Sequence, residues 1–429
     1  MGHRKTATHI IFLALALAGG PGIAHASFDE FADDHAPARF QLRSGDLTLT
    51  LKGEVELELH DLEGQGGVGY DSPTDTRTLG TRSPFVEIDS FWLALRLGLP
   101  GRLAINSLLE FSQRGSRVGA VWFDARANWP GRIEHHLEIG LHTPLIKLDR
   151  RTERYPLIAT VYWRDPEYHA VYEGRLSLGI RSGVDLGLSL AVMRPIAFSS
   201  VQESTSHKGT INIVAYGPAR PFSGNAPVWG GRLRLFSHGA FISAFGFIGS
   251  LAAEAGTDEL RNSFASYQDL PGYNAADVGR QDPTFWWSGG RLGYDGYGVH
   301  AIVEFIASRE SLLRRWGLYG QLSYALRLRD ASKLLHTLEL LGRYERYRLH
   351  NSADVLLGGR SLRSPAPSQA VTWDFDVITA ALITTIYRDM LRLRLEYTWI
   401  HEHNGVPGLG IPEAPIRNNE LLAQLELRF

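Results

Sequence analysis

The chain contains no cysteine. That absence excludes disulfides, a lipid-modified cysteine, covalent attachment of c-type haem and any thiolate metal site. Long hydrophobic runs are also missing. After the first residues, the longest apolar stretch is 240–253, and serines interrupt it. It falls short of the about 20 residues a membrane-spanning helix requires. Charge of one sign is lacking too, since the formal net charge is −2. A nucleic-acid partner held by electrostatics is therefore not expected.

What is present begins with a short targeting pattern. His3, Arg4 and Lys5 precede an apolar run from Ile10 to Ala18, and Ala24-His25-Ala26 supplies a small-x-small cleavage site. Residues 1–26 are therefore expected to be a secretory signal peptide and 27–43 an N-terminal periplasmic segment. Hydrophobic residues make up 44% of the chain, and mean hydropathy is −0.13. Such values suit a soluble domain, and equally a membrane barrel in which half of each strand faces water.

The dominant pattern is period-two alternation. In 44–60, Leu47, Leu49, Leu51, Val55, Leu57 and Leu59 oppose Thr48, Thr50, Lys52, Glu54, Glu56 and Glu58. In 390–401, Leu391, Leu393, Leu395, Tyr397 and Trp399 oppose Arg392, Arg394 and Glu396. In 371–387 the alternation sets Trp373, Phe375, Val377, Ala381 and Ile383 against Asp374 and Asp376. Successive side chains on a strand point to opposite faces, so each segment carries one apolar and one polar face. These runs exceed the ~5–6 residues of ordinary strands and match the ~9–11 needed to cross a bilayer at a tilt. The last segment, NNELLAQLELRF over 418–429, places Leu421, Ala423, Leu425, Leu427 and Phe429 on one face.

Connections alternate between tight turns and long polar stretches. The turns are 100–101, 130–131, 181–183, 237–239, 294–298, 329–333 and 388–389. The long stretches are 60–84, 113–117, 143–165, 195–228, 252–283, 309–315, 348–370 and 403–417. Together they join sixteen strands. The segment 208–216 reads as a further strand, either as a hairpin arm within 195–228 or as half of a pair that raises the total to eighteen. A terminal amphipathic strand ending on Phe resembles the closing strand of bacterial outer-membrane β-barrels. The pattern over 44–429 is similar to that of porin-like members. The resemblance implies an all-β, transmembrane, antiparallel up-and-down barrel, with Leu425, Leu427 and Phe429 as its assembly signal.

Several letter patterns suggest chemistry. Gly64-Gln65-Gly66-Gly67-Val68-Gly69 spells GxGxxG, but Tyr70-Asp71-Ser72-Pro73 follows where a phosphate-binding helix would have to open. His401-Glu402-His403 puts two imidazoles on one side of a strand end, without a third metal ligand fixed by spacing. Neither pattern assigns a cofactor or metal, and no GxSxG or other nucleophile arrangement points to an enzyme.

The informative residues are charges assigned to the inside. Arg102, Arg126, Arg232, Arg234, Arg329, Arg392, Arg394 and Arg428 are expected to line the middle and inner part of a pore. Glu56, Glu58, Asp374 and Asp376 are expected to line its outer part. The same charges could instead satisfy one another as structural pairs. The stretch 143–165 holds Lys147, Arg150, Arg151, Arg154 and Arg164, and it follows the fifth strand. In general porins the loop at this place folds into the lumen. The resemblance thus implies passive diffusion of small hydrophilic solutes, with anions weakly preferred through this basic loop. The alternative is a barrel that sheathes an exported polysaccharide or a periplasmic cytochrome. Partners implied by the resemblance are outer-membrane lipid and lipopolysaccharide, the barrel insertion machinery and two further copies in a homotrimer. The implied location is the outer membrane of a Gram-negative bacterium.

Overall fold

A single antiparallel sheet that closes on itself organises the computed structural model. It describes residues 40–62, 84–99, 101–112, 115–129, 133–143, 145, 151–162, 167–178, 183–202, 212–218, 227–250, 284–310, 313–328, 334–350, 374–387, 390–403 and 419–429. A short strand β1 (Phe40–Ser44) turns through Gly45, whose φ of 60° suits glycine, into the first wall strand. The wall then runs β2 (Leu47–Leu62), β3 (Phe85–Leu99), β4 (Leu103–Ser112), β5 (Gly115–Trp129), β6 (Ile133–His142), β7 (Glu167–Ser177) and β8 (Val184–Met193). A separate hairpin, β9 (Ile196–Gln202) with β10 (Asn212–Pro218), interrupts it. The wall resumes with β11 (Val228–Ser237), β12 (Ala240–Ser250), β13 (Thr284–Gly296), β14 (Val299–Glu310) and β15 (Leu313–Arg327). It ends with β16 (Leu335–His350), β17 (Asp374–Ile386), β18 (Leu391–His403) and β19 (Glu420–Arg428).

Strand β8 pairs directly with β11, and β19 pairs with β2, so the sixteen wall strands form a closed ring. Closure removes the unpaired edges that an open sheet would leave. The seven tight turns fall where the sequence places them. Of the eight expected longer connections, 113–117 and 309–315 are largely strand, with two residues between β4 and β5 and between β14 and β15, and 208–216 overlaps one arm of the β9–β10 hairpin rather than a wall strand. Past the last paired rung, the Gly53 N–H donates to the Phe429 carbonyl at 2.7 Å, and the Phe429 N–H donates to Gly53 at 2.9 Å. The Phe429 ring covers Gly53, where a Cβ would stand 2.3 Å from it. The ring also stacks on Phe91 with 6.3 Å between centroids. Beyond this rung β1 takes over pairing with β2, from Phe40↔Leu51 to Ser44↔Leu47. Residues 40–43, expected in a segment outside the barrel, therefore extend its sheet.

Burial separates the two faces of nearly every strand. Leu57 and Leu59 are exposed on the outside of β2, whereas Glu54, Glu56, Glu58 and His60 are buried inside. On β18 Leu393 and Leu395 face out, and Arg394 and Glu396 face in. The expectation for β17 is reversed. Phe375, Val377, Ala381 and Ile383 face inward, opposite Glu396 and Arg394 on β18, while Ile378 and Leu382 are exposed. Asp374 and Asp376 therefore share the outward face and do not line the lumen. The reason is that β17 is apolar on both parities, so alternation alone cannot choose its face. Asp376 is satisfied outside by the Tyr344 hydroxyl at 2.9 Å, by Arg348 at 2.7 Å and by His403 at 2.6 Å. Among the described residues no helix is long and apolar enough to cross a membrane.

Candidate functional site: a charged lumen crossed by an inward-folded segment

The wall surrounds a space lined by paired charges. Arg291 lies 2.5 Å from Glu304, Arg315 2.8 Å from Glu310, and Arg232 2.6 Å from Glu173. Arg428 contacts Glu54 at 3.1 Å and also Glu426, and Arg126 contacts Asp124 at 3.3 Å. Arg392 reaches Glu426 at 3.9 Å. Arg234 is buried, with its guanidinium 4.7 Å from the centre of the Phe236 ring. Burying a charge without a partner is costly, so these pairs follow from placing ionic groups inside the barrel. Glu56 and Glu58 are buried in the same region, and the Gln424 amide donates to Glu58 at 2.6 Å. Arg102 instead lies exposed at the short-turn end. Arg329 lies outside the described residues.

The segment after β6 folds inward and is anchored on the far side of the ring. Arg151 donates to Glu339 on β16 at 2.9 Å, and Arg154 to Glu420 on β19 at 2.8 Å. Glu153 accepts from Arg394 at 3.0 Å and from Gln424 at 2.7 Å, while its backbone N–H donates to Glu396 at 2.9 Å. Arg343 donates to the Arg154 carbonyl at 2.8 Å and to the Thr152 hydroxyl. Lys147, Arg150 and Arg164 lie outside the described residues.

A single turn of helix, α1 (Leu157–Tyr162), completes the segment. Its first N–H, on Leu157, donates to the Glu345 carboxylate of the wall at 2.6 Å, which satisfies a donor that a helix start leaves open. Leu157, Ile158, Val161 and Tyr162 are all buried. Tyr162 lies 5.7 Å from Trp287, which lies 4.2 Å from Phe247, and these inward rings offer an apolar seat. Trp287, near a strand end, thus faces the interior and not the surrounding lipid. Apolar surface removed from water stabilises by about 25 cal/mol per Å², which gives an apolar helix reason to enter a lumen that has such a patch.

Gly317 on β15 makes room for the helix: a Cβ there would stand 2.3 Å from Ile158 Cγ2 and 3.2 Å from the Arg346 carbonyl. Gly317→Val is therefore expected to displace α1 from the wall without altering any charge. Limited proteolysis of the folded barrel would check this; unchanged resistance across 151–162 would refute the packing.

Sequence reasoning located the segment but not its partners. Glu339, Glu345, Glu396 and Glu420 lie 188 to 266 positions away along the chain. One sign was legible: the run AFISAFGFIGS of β12 is apolar on both faces, more than a lipid-facing wall alone requires.

Fold and lumen together define a closed sixteen-stranded antiparallel barrel with a segment folded across its interior, a fold similar to that of solved outer-membrane channels. No family model and no curated protein matches the sequence. Solved structures with similar folds include the outer membrane channel DcaP of Acinetobacter baumannii. It is 10% identical, covers 90% of this chain and 99% of its own, and has a TM-score of 0.50. An anion-selective porin from Comamonas acidovorans is 10% identical over 89% of this chain and 99% of its own, with a TM-score of 0.47. OmpT, an outer membrane protein of Vibrio cholerae, is 10% identical over 91% and 99%, with a TM-score of 0.48. At such identities the likeness concerns the fold.

Proposed function

We infer that this protein is an outer-membrane channel for passive diffusion of small hydrophilic solutes. The observation that carries the reading is the segment 151–162, held inside a charge-lined barrel by ion pairs to the opposite wall. A barrel of this strand number leaves an aqueous lumen, and an inward segment narrows it. Selection then follows from lumen size and from the fixed charges that solutes pass. Exposed apolar side chains outside and ionic groups inside suit a wall with lipid on one side and water on the other. Lipopolysaccharide contact, delivery by the insertion machinery and trimeric assembly belong to the same reading.

A weak anion preference has its source at the inner rim rather than in the segment. Arg151 and Arg154 are neutralised by Glu339 and Glu420. Arg96, Arg102 and Arg327, by contrast, lie exposed toward the short-turn end. Refolded protein in planar bilayers is expected to show single-channel conductance, with a reversal potential in asymmetric salt shifted toward anions. Replacing those three arginines by glutamine should abolish the shift. Bilayers and sugar-loaded liposomes that stay sealed would overturn the channel reading. A cation-shifted potential would overturn the preference alone.

A further inference from the structure

The geometry points to a binding site for a zinc-class divalent cation, formed by Glu138 and His142 of β6 with His169 of β7. Glu138 and His142 stand four residues apart on the inward face. Gly140 lies between them and pairs across with His169. Without a side chain at Gly140, the three functional groups converge. The His142 Nδ1 atom lies 2.7 Å from Glu138 Oε1, and His169 Nε2 lies 2.8 Å from the same oxygen. One ligand atom from each residue can be chosen so that all lie within 4.8 Å of one another.

The surroundings set these donors for coordination. The His169 Nδ1 atom is 2.8 Å from the Glu167 carbonyl, which can only accept, so Nδ1 carries the hydrogen. In the neutral ring the lone pair is then on Nε2, the atom aimed at Glu138. Such a backbone contact is how metal-binding imidazoles are commonly oriented. Trp122 stacks on His142 with centroids 3.9 Å apart and planes at 8°, which fixes the plane of that ring. Glu138 and His169 are buried, and His142 is partly open.

Two imidazoles and one carboxylate form the ligand set of zinc sites that keep a position open. Zn–N and Zn–O distances are about 2.0–2.2 Å, so the observed contacts need to open only by a fraction of an ångström to become edges of a coordination sphere. Imidazole nitrogen favours late first-row ions over Mg²⁺ or Ca²⁺. The alternative, a protonated histidine sharing Glu138, is an outcome of the test below.

The location gives the site a consequence. His142 is the last residue of β6 and His169 the third of β7, so the ligands flank the segment that folds into the lumen. A bound cation would tie the two roots of that segment together and add positive charge to the wall. Binding itself does not depend on the channel reading.

The test is calorimetric titration of Zn²⁺ into refolded, chelator-treated full-length protein in detergent. One ion per barrel is expected, with affinity reduced at least ~10-fold in His142→Ala and in His169→Ala. His401→Ala/His403→Ala should bind as the parent does. In unaltered protein, Zn²⁺ should also protect His142 and His169 from diethylpyrocarbonate, a readout that needs no variant to fold. Cu²⁺ in place of Zn²⁺ should show hyperfine coupling to two imidazole nitrogens in its electron paramagnetic resonance spectrum, reduced to one in His169→Ala. Absence of stoichiometric binding and of protection would overturn the proposal and leave a proton-sharing cluster. Binding unaffected by either histidine variant would overturn it too. Specific binding by protein that leaves bilayers and liposomes sealed would leave the site standing and overturn the channel reading.

Discussion

Arg154→Ala is expected to release the inward segment from the β19 wall and to widen the lumen, seen as a larger single-channel conductance and faster liposome swelling by larger sugars. The Arg154 and Glu420 side chains are 2.8 Å apart and each is only 5% exposed. The His60 ring also lies beside Glu420, at 3.4 Å. Removing one member of a buried pair typically costs about 3–5 kcal/mol, because the remaining charge is stranded. Set against the docked state, that cost shifts the docking equilibrium by roughly two to four orders of magnitude. Arg343, Glu345 and α1 still hold the segment, so the released state is a shifted population, not a lost fold. Arg154→Glu combined with Glu420→Arg should recover the parental conductance. A folded Arg154→Ala protein with parental conductance would show that the pair does not hold the constriction.

A charge on the outer face is expected to act on the whole barrel. Leu395 is exposed, between Leu382 on β17 and Ala423 on β19. Leu395→Arg should cost about 2–4 kcal/mol if the position lies near the bilayer midplane. Its neighbour Glu396 faces inward and accepts the Glu153 N–H at 2.9 Å. Glu396→Gln keeps an acceptor oxygen there, so the loss should be confined to the inward segment, at about 1 kcal/mol. Urea unfolding of the two variants in vesicles, followed by heat-modifiable migration, separates these outcomes. Equal destabilisation would mean that the two faces are not divided between lipid and water.

Much of the wall was legible because its cause is local. A strand inverts its side chains at every residue, so Leu57 and Leu59 against Glu56 and Glu58 reveal two environments without any knowledge of neighbours. Turn residues likewise announce themselves, which is why the seven tight connections and the ring of sixteen strands agree with the sequence. The reading failed where both parities carry apolar residues. Phe375, Val377, Ala381 and Ile383 satisfy the pattern of a lipid-facing row as well as Ile378 and Leu382 do, and only pairing with β16 and β18 chooses between them.

Alternation and turn chemistry in the sequence by themselves determined the positions of the tight turns and the face of most strands, while the choice of sixteen wall strands over eighteen came from the pairing of β9 with β10. Tertiary structure alone decided the contents of the lumen. Arg154 meets Glu420 and Ile158 meets Gly317 across separations that no spacing rule covers, because closing the ring is what brings distant strands face to face. The same closure turned the basic residues Arg151 and Arg154 from an expected source of anion preference into partners of wall carboxylates. A charge read from sequence has a sign but no neighbour, and inside a barrel the neighbour determines what that charge does.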